Sequence, residues 1–328
     1  MNYWEFKKLI KQKEIPLVYL FIGEEKFLME DALESLRNRF KNASYHVFFG
    51  EDITWKEIIP FLEAPPLFEN QLLVIRHCQN LKEPKEKDKI ISLLKKPMNT
   101  CIVFMANGEE ESKKKNYLEK IIPGNGIVEF SKLRAEGVRR WLNEKLKELN
   151  ITLDSDAQYF LTISWGDNLA FLYKELEKVV SFVGERKEVT LEDLKKVSSP
   201  KEVAFFTFLD ALYKKDVYLL LSGLDTLWNE GIHPMVILDI IIKQIRQILR
   251  IYALSKEGFS EEEIKEKLDL HPFVIKKTLQ SLTNFTAAEL FELYFLLRQL
   301  DQEIKSTSKN PRILLEKFLI RINKKVLT

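Results

Sequence analysis

A glycine and two glutamates follow the first strand-like stretch of the chain, where a nucleotide-binding α/β domain binds phosphate. The run Leu17–Ile22 is apolar, and Gly23, Glu24, Glu25 and Lys26 follow it before a helical pattern begins. A phosphate loop needs the spacing GxxxxGKS or GxxxxGKT, because its glycines let backbone amides converge on the phosphates and its lysine reaches the outer ones. The chain contains no Gly-Lys pair, so this turn lacks the residues for nucleoside triphosphate chemistry.

The carboxylates of Glu24 and Glu25 also oppose an anionic ligand. They occupy a predicted helix N-terminus, whose field attracts anions, and two like charges about 4 Å apart repel by roughly 1–4 kcal/mol at a partly solvated surface. A later strand-like run, Leu72–Ile75, is followed by Arg76 rather than by a carboxylate that would hold magnesium. We interpret Gly23, Glu24 and Glu25 as a degenerate phosphate-loop position. The alternative is an unrelated α/β domain that never bound nucleotide.

Other patterns for catalysis or metal binding are missing from the sequence. The four histidines share no i, i+4 spacing, and the nucleophile motif GxSxG does not occur. Cys78 and Cys101 are too few for a disulfide framework and lie at strand-like positions, which predicts buried thiols in a reducing compartment. We therefore expect no catalytic residue, no cofactor and no metal site.

The composition is that of a globular protein outside the membrane. Of the 328 residues, 45% are hydrophobic and 30% are charged, with 51 basic residues against 49 acidic ones. The apolar content excludes a disordered chain, and the nearly equal numbers of basic and acidic residues give no sign of a polybasic tail. The apolar stretch Met235–Ile242 is too short to cross a bilayer, and the first residues have no signal-peptide pattern. The sequence predicts a cytoplasmic protein.

Five apolar runs of strand length alternate with helical patterns in the first third of the chain. They are Leu17–Ile22, Tyr45–Phe49, Leu72–Ile75, Cys101–Met105 and Ile127–Phe130. Such runs, with few polar interruptions and helices between them, predict a mostly parallel sheet that is covered on both faces. We predict an α/β domain over residues 1–132, with the turn at Gly23 at the end of its first strand.

Helical periodicity replaces the strand pattern after Phe130. Residues 133–200 predict a small helical domain, in which Asp167 is expected to cap one helix. Residues 201–328 predict a larger helical bundle, and the pairs Ser260/Glu263 and Thr286/Glu289 predict capping boxes there. The predicted fold class is multidomain α/β plus α.

The sequence resembles the delta subunit of the bacterial DNA polymerase III clamp loader over essentially its whole length. The resemblance rests on short stretches that occur in order, namely Tyr19–Leu28, Gly166–Leu169, Glu175–Lys178, Gln244–Leu249, His271–Phe273 and Leu300–Lys305. It implies an AAA+-like parallel-sheet domain without ATPase activity over residues 1–132. It further implies a small helical lid domain over 133–200 and a helical collar domain over 201–328 that joins other subunits in a ring.

The resemblance also implies a clamp-binding site on the first domain. In this family a hydrophobic pair inserts into a pocket on the ring-shaped sliding clamp, and the matching residues here are Leu67 and Phe68. Family members often have glutamine at the position of Glu63 and a small polar residue at that of Pro66. The two prolines of this stretch restrict the backbone, and the connection is expected near the surface. Alternatively, Leu67 and Phe68 pack under the edge of the sheet, as large apolar residues usually do.

The implied function is to bind and open the sliding clamp (beta subunit) so that it can be loaded on primed DNA during replication. The implied partners are the clamp, the ATPase and delta-prime subunits of the loader, and primed DNA within the complex, with no cofactor and no membrane. The subunit would hydrolyse no ATP, as a non-catalytic part of a DNA-directed DNA polymerase (nucleotidyltransferase) holoenzyme in the bacterial cytoplasm, at the nucleoid. Two other functions stay open: an active ATPase with a degenerate phosphate loop, and a helical adaptor for a different DNA or RNA machine.

Overall fold

The protein divides into two compact units, Met1–Lys132 and Leu133–Thr328. The computed structural model describes residues 1–63, 70–95, 97, 100–107, 117–166, 168–270 and 272–322. The first unit contains a parallel sheet with helices, and the second is almost entirely helical. The predicted class, multidomain α/β plus α, is therefore confirmed. The further division at residue 200 stays a prediction.

Strands and helices alternate in the first unit. Its elements are α1 (Tyr3–Leu9), β1 (Val18–Gly23), α2 (Lys26–Arg39), β2 (Ser44–Phe49), α3 (Trp55–Glu63), β3 (Gln71–Arg76), α4 (Lys87–Lys95), β4 (Thr100–Asn107), α5 (Leu118–Ile121) and β5 (Ile127–Phe130). The strands are all parallel, in the order β2-β3-β4-β1-β5. This order makes β1 and β5 neighbours, so the turn that follows β1 lies beside the end of β5.

Apolar side chains from alternate strand positions enter two cores, one on each side of the sheet. On one side, Leu20 and Phe104 pack with residues of α3, α4 and α5, among them Trp55 and Leu94. On the other side, the ring of Phe6 in α1 meets Tyr19 and Phe21 edge to face, at 5.6 and 5.4 Å between ring centres. Buried positions of α2 complete this second side, namely Leu28, Met29, Ala32, Leu33 and Leu36.

The prediction that both faces of the sheet are covered is wrong at β2, which lies at the edge. Tyr45 and Val47 are each 38% exposed, whereas their register partners on β3, Leu72 and Val74, are buried. On this side the Arg37 guanidinium of α2 lies 4.9 Å from the centre of the Tyr45 ring. On this face the helical cover therefore leaves an apolar strip exposed on β2, whereas on the other face Phe48 of β2 packs against Phe61 of α3.

Helices form nearly all of the second unit. They are α6 (Ala135–Leu149), α7 (Ser155–Trp165), α8 (Leu169–Val183), α9 (Leu191–Val197), α10 (Pro200–Lys214), α11 (Val217–Asn229), α12 (Pro234–Lys256), α13 (Glu261–Leu268), α14 (Pro272–Ser281), α15 (Ala287–Ser306) and α16 (Pro311–Ile322). A parallel pair of two-residue strands, β6 (Thr152–Leu153) and β7 (Glu188–Val189), lies among them. The sequence does not predict this pair.

Helix capping agrees with the sequence at two starts and differs at a third. Ser260 with Glu263, and Thr286 with Glu289, form complete capping boxes at the starts of α13 and α15. The start of α8 is capped by Asn168, whose side-chain oxygen accepts the backbone N–H of Phe171 at 3.2 Å. The prediction of Asp167 as this cap is wrong, and Asp167 itself lies outside the described residues.

Both cysteine thiols are buried, as predicted. Cys78 and Cys101 are each 0% exposed, and burial raises the pKa of the Cys101 thiol far above its usual value. In the described part of the chain, no helix has the length and apolar content needed to span a bilayer.

Candidate functional site

The turn that follows β1 is built around the close approach of two strands. Gly23 lies opposite Phe130 of β5 in register, and its φ of +132° is one that residues with a side chain rarely adopt. A Cβ on Gly23 would lie 2.3 Å from the carbonyl oxygen of Phe130. Glycine is therefore required here by the end of β5, independently of any ligand.

The backbone amides of this turn already have an acceptor. The N–H groups of Glu24 and Glu25 both donate to the carbonyl oxygen of Phe130, each at 3.0 Å. In a phosphate loop the corresponding amides point at the phosphates of the ligand. The end of β5 thus occupies two of the donors that would make this position a phosphate site.

The charge of the turn is also unfavourable for an anion. Glu25 precedes the first residue of α2, and its side chain makes no capping hydrogen bond. Burial raises the pKa of the Glu25 carboxyl, and the neighbouring Glu24 carboxylate raises it further, while a backbone hydrogen bond from Phe27 and the charge of Lys132 act in the opposite direction. The Lys132 ammonium lies 3.8 Å from Glu24. The ammonium group of Lys132 therefore faces a carboxylate of the protein itself.

The end of β3 carries a cation that is bound by α2. The guanidinium of Arg76 donates to both carboxylate oxygens of Glu30, at 2.5 and 2.8 Å. These hydrogen bonds raise the pKa of Arg76. The bidentate pair joins the sheet to α2 at the edge where the first, third and fourth strands end.

Glu51 is a carboxylate near this edge that the sequence analysis missed. It follows β2, and its oxygens lie 3.4 Å from Nδ1 of His77 and 3.2 Å from Nδ2 of Asn80. His77 has a left-handed backbone, with φ of 50°, which turns the chain back toward Glu51. Among the described residues, no group of three His, Cys, Asp or Glu side chains has the arrangement of a metal site.

Leu67 and Phe68, the predicted clamp-binding pair, lie outside the described residues, but both flanks of their connection are described. Before it, the carbonyl oxygen of Phe61 in α3 accepts the Thr100 hydroxyl at 2.7 Å. Glu63, the last residue of α3, pairs with Lys89 of α4 at 3.2 Å. After it, the carbonyl oxygen of Asn70 accepts the backbone N–H of Ser44 at 2.9 Å. The connection therefore begins and ends at points that are bonded to the rest of the unit.

Sequence models of one family match both units of the chain. The model described as "DNA polymerase III, delta subunit" matches residues 19–129. The model described as "DNA polymerase III delta subunit, C-terminal domain" matches residues 202–322. Together they cover more than two thirds of the chain.

Two relatives and one solved structure match nearly the whole chain. The DNA polymerase III subunit delta of Bacillus subtilis (strain 168) is 24% identical in an alignment of 333 positions that covers 97% of this chain and 96% of that protein. The probable DNA polymerase III subunit delta of Aquifex aeolicus (strain VF5) is 27% identical in an alignment of 315 positions that covers 92% of this chain and 90% of that protein. The structure of the Bacillus subtilis DNA clamp loader delta protein aligns with a TM-score of 0.49 and 22% identity, over 98% of this chain and 99% of that one.

Proposed function

Because this chain belongs to the family of DNA polymerase III delta subunits, we propose that it is the clamp-loader subunit that binds and opens the sliding clamp. The observation that carries the proposal is that delta-subunit models match both the sheet unit and the helical unit. In this proposal residues 1–132 bind the clamp, residues 133–200 form a lid domain and residues 201–328 form the collar. The other loader subunits, ATPase and delta-prime, and primed DNA complete the assembly, which works in the cytoplasm at the nucleoid.

In this proposal the subunit hydrolyses no ATP. Support comes from the turn after β1, where the Phe130 carbonyl oxygen accepts hydrogen bonds from the backbone amides of Glu24 and Glu25. The carboxylates of the same two residues add negative charge where a triphosphate would need positive charge. Nucleotide chemistry is then left to the neighbouring subunits, and this chain supplies binding energy.

Leu67 and Phe68 supply that binding energy by inserting into a pocket of the clamp. Full burial of both side chains contributes about 3–6 kcal/mol before the costs of association are subtracted. A ligand shifts a conformational equilibrium only by its differential affinity for the two states. Opening therefore requires that the pair bind an open or strained ring better than a closed one.

The test is the double variant Leu67→Ala with Phe68→Ala, measured by binding to the purified sliding clamp of the same organism. Loss of the two side chains is expected to weaken clamp binding by about 100-fold or more. The melting temperature and assembly with the other loader subunits should stay close to wild type. A variant that unfolds, or one that binds the clamp normally, would contradict the role of this pair.

The matched control is Tyr218→Ala with Leu219→Ala. These residues are also an adjacent aromatic–aliphatic pair, 82% and 36% exposed at the start of α11. They lie in the second unit, so clamp binding should keep its wild-type affinity. An equal loss of clamp affinity in both double variants would mean that binding depends on general surface hydrophobicity rather than on Leu67 and Phe68.

A further inference from the structure

Helix α15 exposes three aromatic side chains at helical spacing. Phe291, Tyr294 and Phe295 are 66%, 37% and 59% exposed. Positions three and four residues apart share one face of a helix. The opposite side of α15 is buried in the core of the bundle through Leu290, Leu293, Leu297 and Leu300. The exposed aromatic groups are thus not needed to hold α15 in its own fold.

The exposed aromatic area is large for a helix surface. Aromatic side chains present 150–250 Å² each, so these three expose on the order of 300 Å² together. Single exposed apolar residues are ordinary, but contiguous apolar patches mark sites of association. An area of this size matches the centre of a protein interface, whose polar rim brings the total to about 800 Å² per partner.

One arginine contacts an aromatic group of α15, and two more lie one helical turn further along α12 and α15. The guanidinium of Arg246 on α12 lies 5.7 Å from the centre of the Tyr294 ring. Arg250 lies one turn further along α12, and Arg298 lies one turn beyond Tyr294 on α15. All three are exposed, and within the described residues none of them forms an ion pair, whereas the nearby Lys243 pairs with Asp239 at 2.9 Å. We call Arg246, Arg250, Phe291, Tyr294, Phe295 and Arg298 the aromatic–arginine face.

The chemistry of this face selects one kind of occupant. Aromatic residues and arginine are enriched at the centres of protein interfaces, and unpaired guanidinium groups call for carboxylates on the partner. A second copy of this chain would bring its own arginines against these. A nucleic acid strand would meet the exposed carboxylate side chain of Glu292, next to Phe291. An unlike protein with an apolar surface bordered by carboxylates fits best.

We propose that the aromatic–arginine face contacts a neighbouring, unlike subunit of the clamp loader through such an acid-bordered apolar surface. The inference rests on the proposed function, since it assigns a specific face and a partner chemistry to the collar. It divides the work of the two units: the first unit contacts the clamp, and α12 with α15 contacts a loader subunit. The residues of the two contacts do not overlap.

The first test is the double variant Phe291→Ala with Phe295→Ala in the full-length chain. Its binding to the purified ATPase and delta-prime subunits of the same organism is measured by sedimentation. We expect affinity to fall by about 100-fold or more, because anchoring aromatic groups dominate the binding energy of an interface. Wild-type affinity for both subunits would overturn the inference.

The matched control is Phe171→Ala with Phe182→Ala on α8. These phenylalanines are 54% and 50% exposed, close to the exposure of the pair on α15. Assembly of this control should stay within about threefold of wild type. An equal loss in both double variants would overturn the assignment to α15.

A second variant, Arg246→Glu with Arg298→Glu, tests the charge of the partner without removing apolar area. If the partner supplies carboxylates, wild-type assembly should tighten as salt is lowered, and the reversed charges should weaken assembly most at low salt. Unchanged affinity and unchanged salt dependence would overturn the acid-bordered partner. This variant also keeps the inference testable if the phenylalanine variant fails to fold.

The remaining outcomes separate this inference from the proposed function. A wild-type chain that binds neither the clamp nor any loader subunit contradicts the proposed function itself. If the wild-type chain assembles with the loader subunits and the face variants assemble equally well, the inference alone is contradicted. Gel shifts with a single-stranded oligonucleotide and sedimentation of the chain alone complete the test. A face variant that assembles normally but loses oligonucleotide binding, or loses self-association, would assign the face to nucleic acid or to a second copy.

Discussion

A single carbonyl oxygen, that of Phe130, accepts hydrogen bonds from two backbone amides of the turn after β1. Two features of this turn are visible in the sequence, the absence of a Gly-Lys pair and the presence of Glu24 and Glu25. The role of Phe130 is not visible, because its backbone comes from the last strand of the unit and reaches the turn only when β5 pairs with β1. Motif analysis reports missing side chains, whereas a backbone acceptor carries no residue signature.

Replacement of Gly23 tests this close approach. Gly23→Ala would place a Cβ 2.3 Å from the Phe130 carbonyl oxygen and would require a left-handed backbone from alanine. We expect a loss of at least about 2 kcal/mol in the free energy of unfolding, measured with urea. Gly124→Ala is the control, since nothing lies within 4 Å of its added Cβ, and it should stay within about 0.5 kcal/mol of wild type. Equal effects of the two changes would contradict the close approach.

Asp193 provides a pH-dependent contribution to the stability of the second unit. Its carboxylate accepts from the guanidinium of Arg186 at 2.8 Å and from the backbone N–H and hydroxyl of Thr190 at 3.0 and 2.8 Å. These hydrogen bonds hold the pKa of Asp193 far below its ordinary value, and the bond from Arg186 contributes most. The unfolded chain therefore binds a proton here at a higher pH than the folded chain does.

The expected effect is a stability difference that disappears in acid. Above about pH 5 Asp193 is charged in both the folded and the unfolded state. The difference in melting temperature between the wild type and Asp193→Asn should therefore be largest there. As the pH falls from about 5 toward 2, the unfolded state takes up its proton first, and the gap between wild type and variant should shrink. Melting curves at several pH values measure this gap. A constant gap would contradict the pKa direction.

At the scale of elements, the sequence predicts the strands of the sheet but not which strand lies at its edge. The run from Tyr45 to Phe49 is entirely apolar or aromatic apart from His46, which is typical of a strand covered on both faces. Edge position depends on strand order, and that order is set by tertiary packing. The pair β6 and β7 was missed for a different reason, since two residues are too few to show a period.

Helices α7, α10 and α14 meet around one ammonium group. The Nζ atom of Lys277 lies 5.1–5.6 Å from the centres of four rings, those of Tyr159, Phe206, Tyr213 and Phe273. It also pairs with Asp210, and the Lys277 side chain is only 15% exposed. The carboxylate compensates the charge and the rings enclose the ammonium, so this lysine acts as a core residue. It links the segment 133–200 to the bundle.

Substitution of Lys277 should therefore destabilise the second unit. Lys277→Met keeps the length of the side chain but removes its charge, which leaves Asp210 with Lys214 as its partner at 2.6 Å. We expect a loss of about 2–4 kcal/mol in the free energy of unfolding. The neighbouring Lys276 is exposed, and Lys276→Met should change that free energy by less than about 0.5 kcal/mol. Similar losses in both variants would contradict the enclosed ammonium.

At the scale of the whole molecule, the family match spans both units, whereas the proposed contacts lie on separate parts of the chain. The clamp-binding pair was predicted from a family resemblance, and no periodicity points to Leu67 and Phe68. The sequence alone does not predict the aromatic–arginine face, because leucines and aromatic residues share α15. Only burial separates Leu293, inside the bundle, from Phe295 on its surface.

A nucleotide titration of the intact chain tests whether the molecule is an ATPase. A ligand that binds only the folded state raises stability by about 2.7 kcal/mol at 100 times its dissociation constant, which moves the melting temperature by degrees. We expect no shift of the melting temperature with Mg-ATP, while an ATPase subunit of the same loader should show one. A shift in this chain would support the alternative function, an active ATPase with an unusual phosphate loop.

The enclosure of both native thiols has a practical consequence. Cys78 and Cys101 are sealed within the first unit, so maleimide reagents should spare them while the protein stays folded. A cysteine introduced at an exposed position can then carry a dye without prior removal of the native ones. Fluorescence energy transfer between such a dye and one on the sliding clamp would test the proposed binding and opening of the ring in real time, on an otherwise unaltered chain.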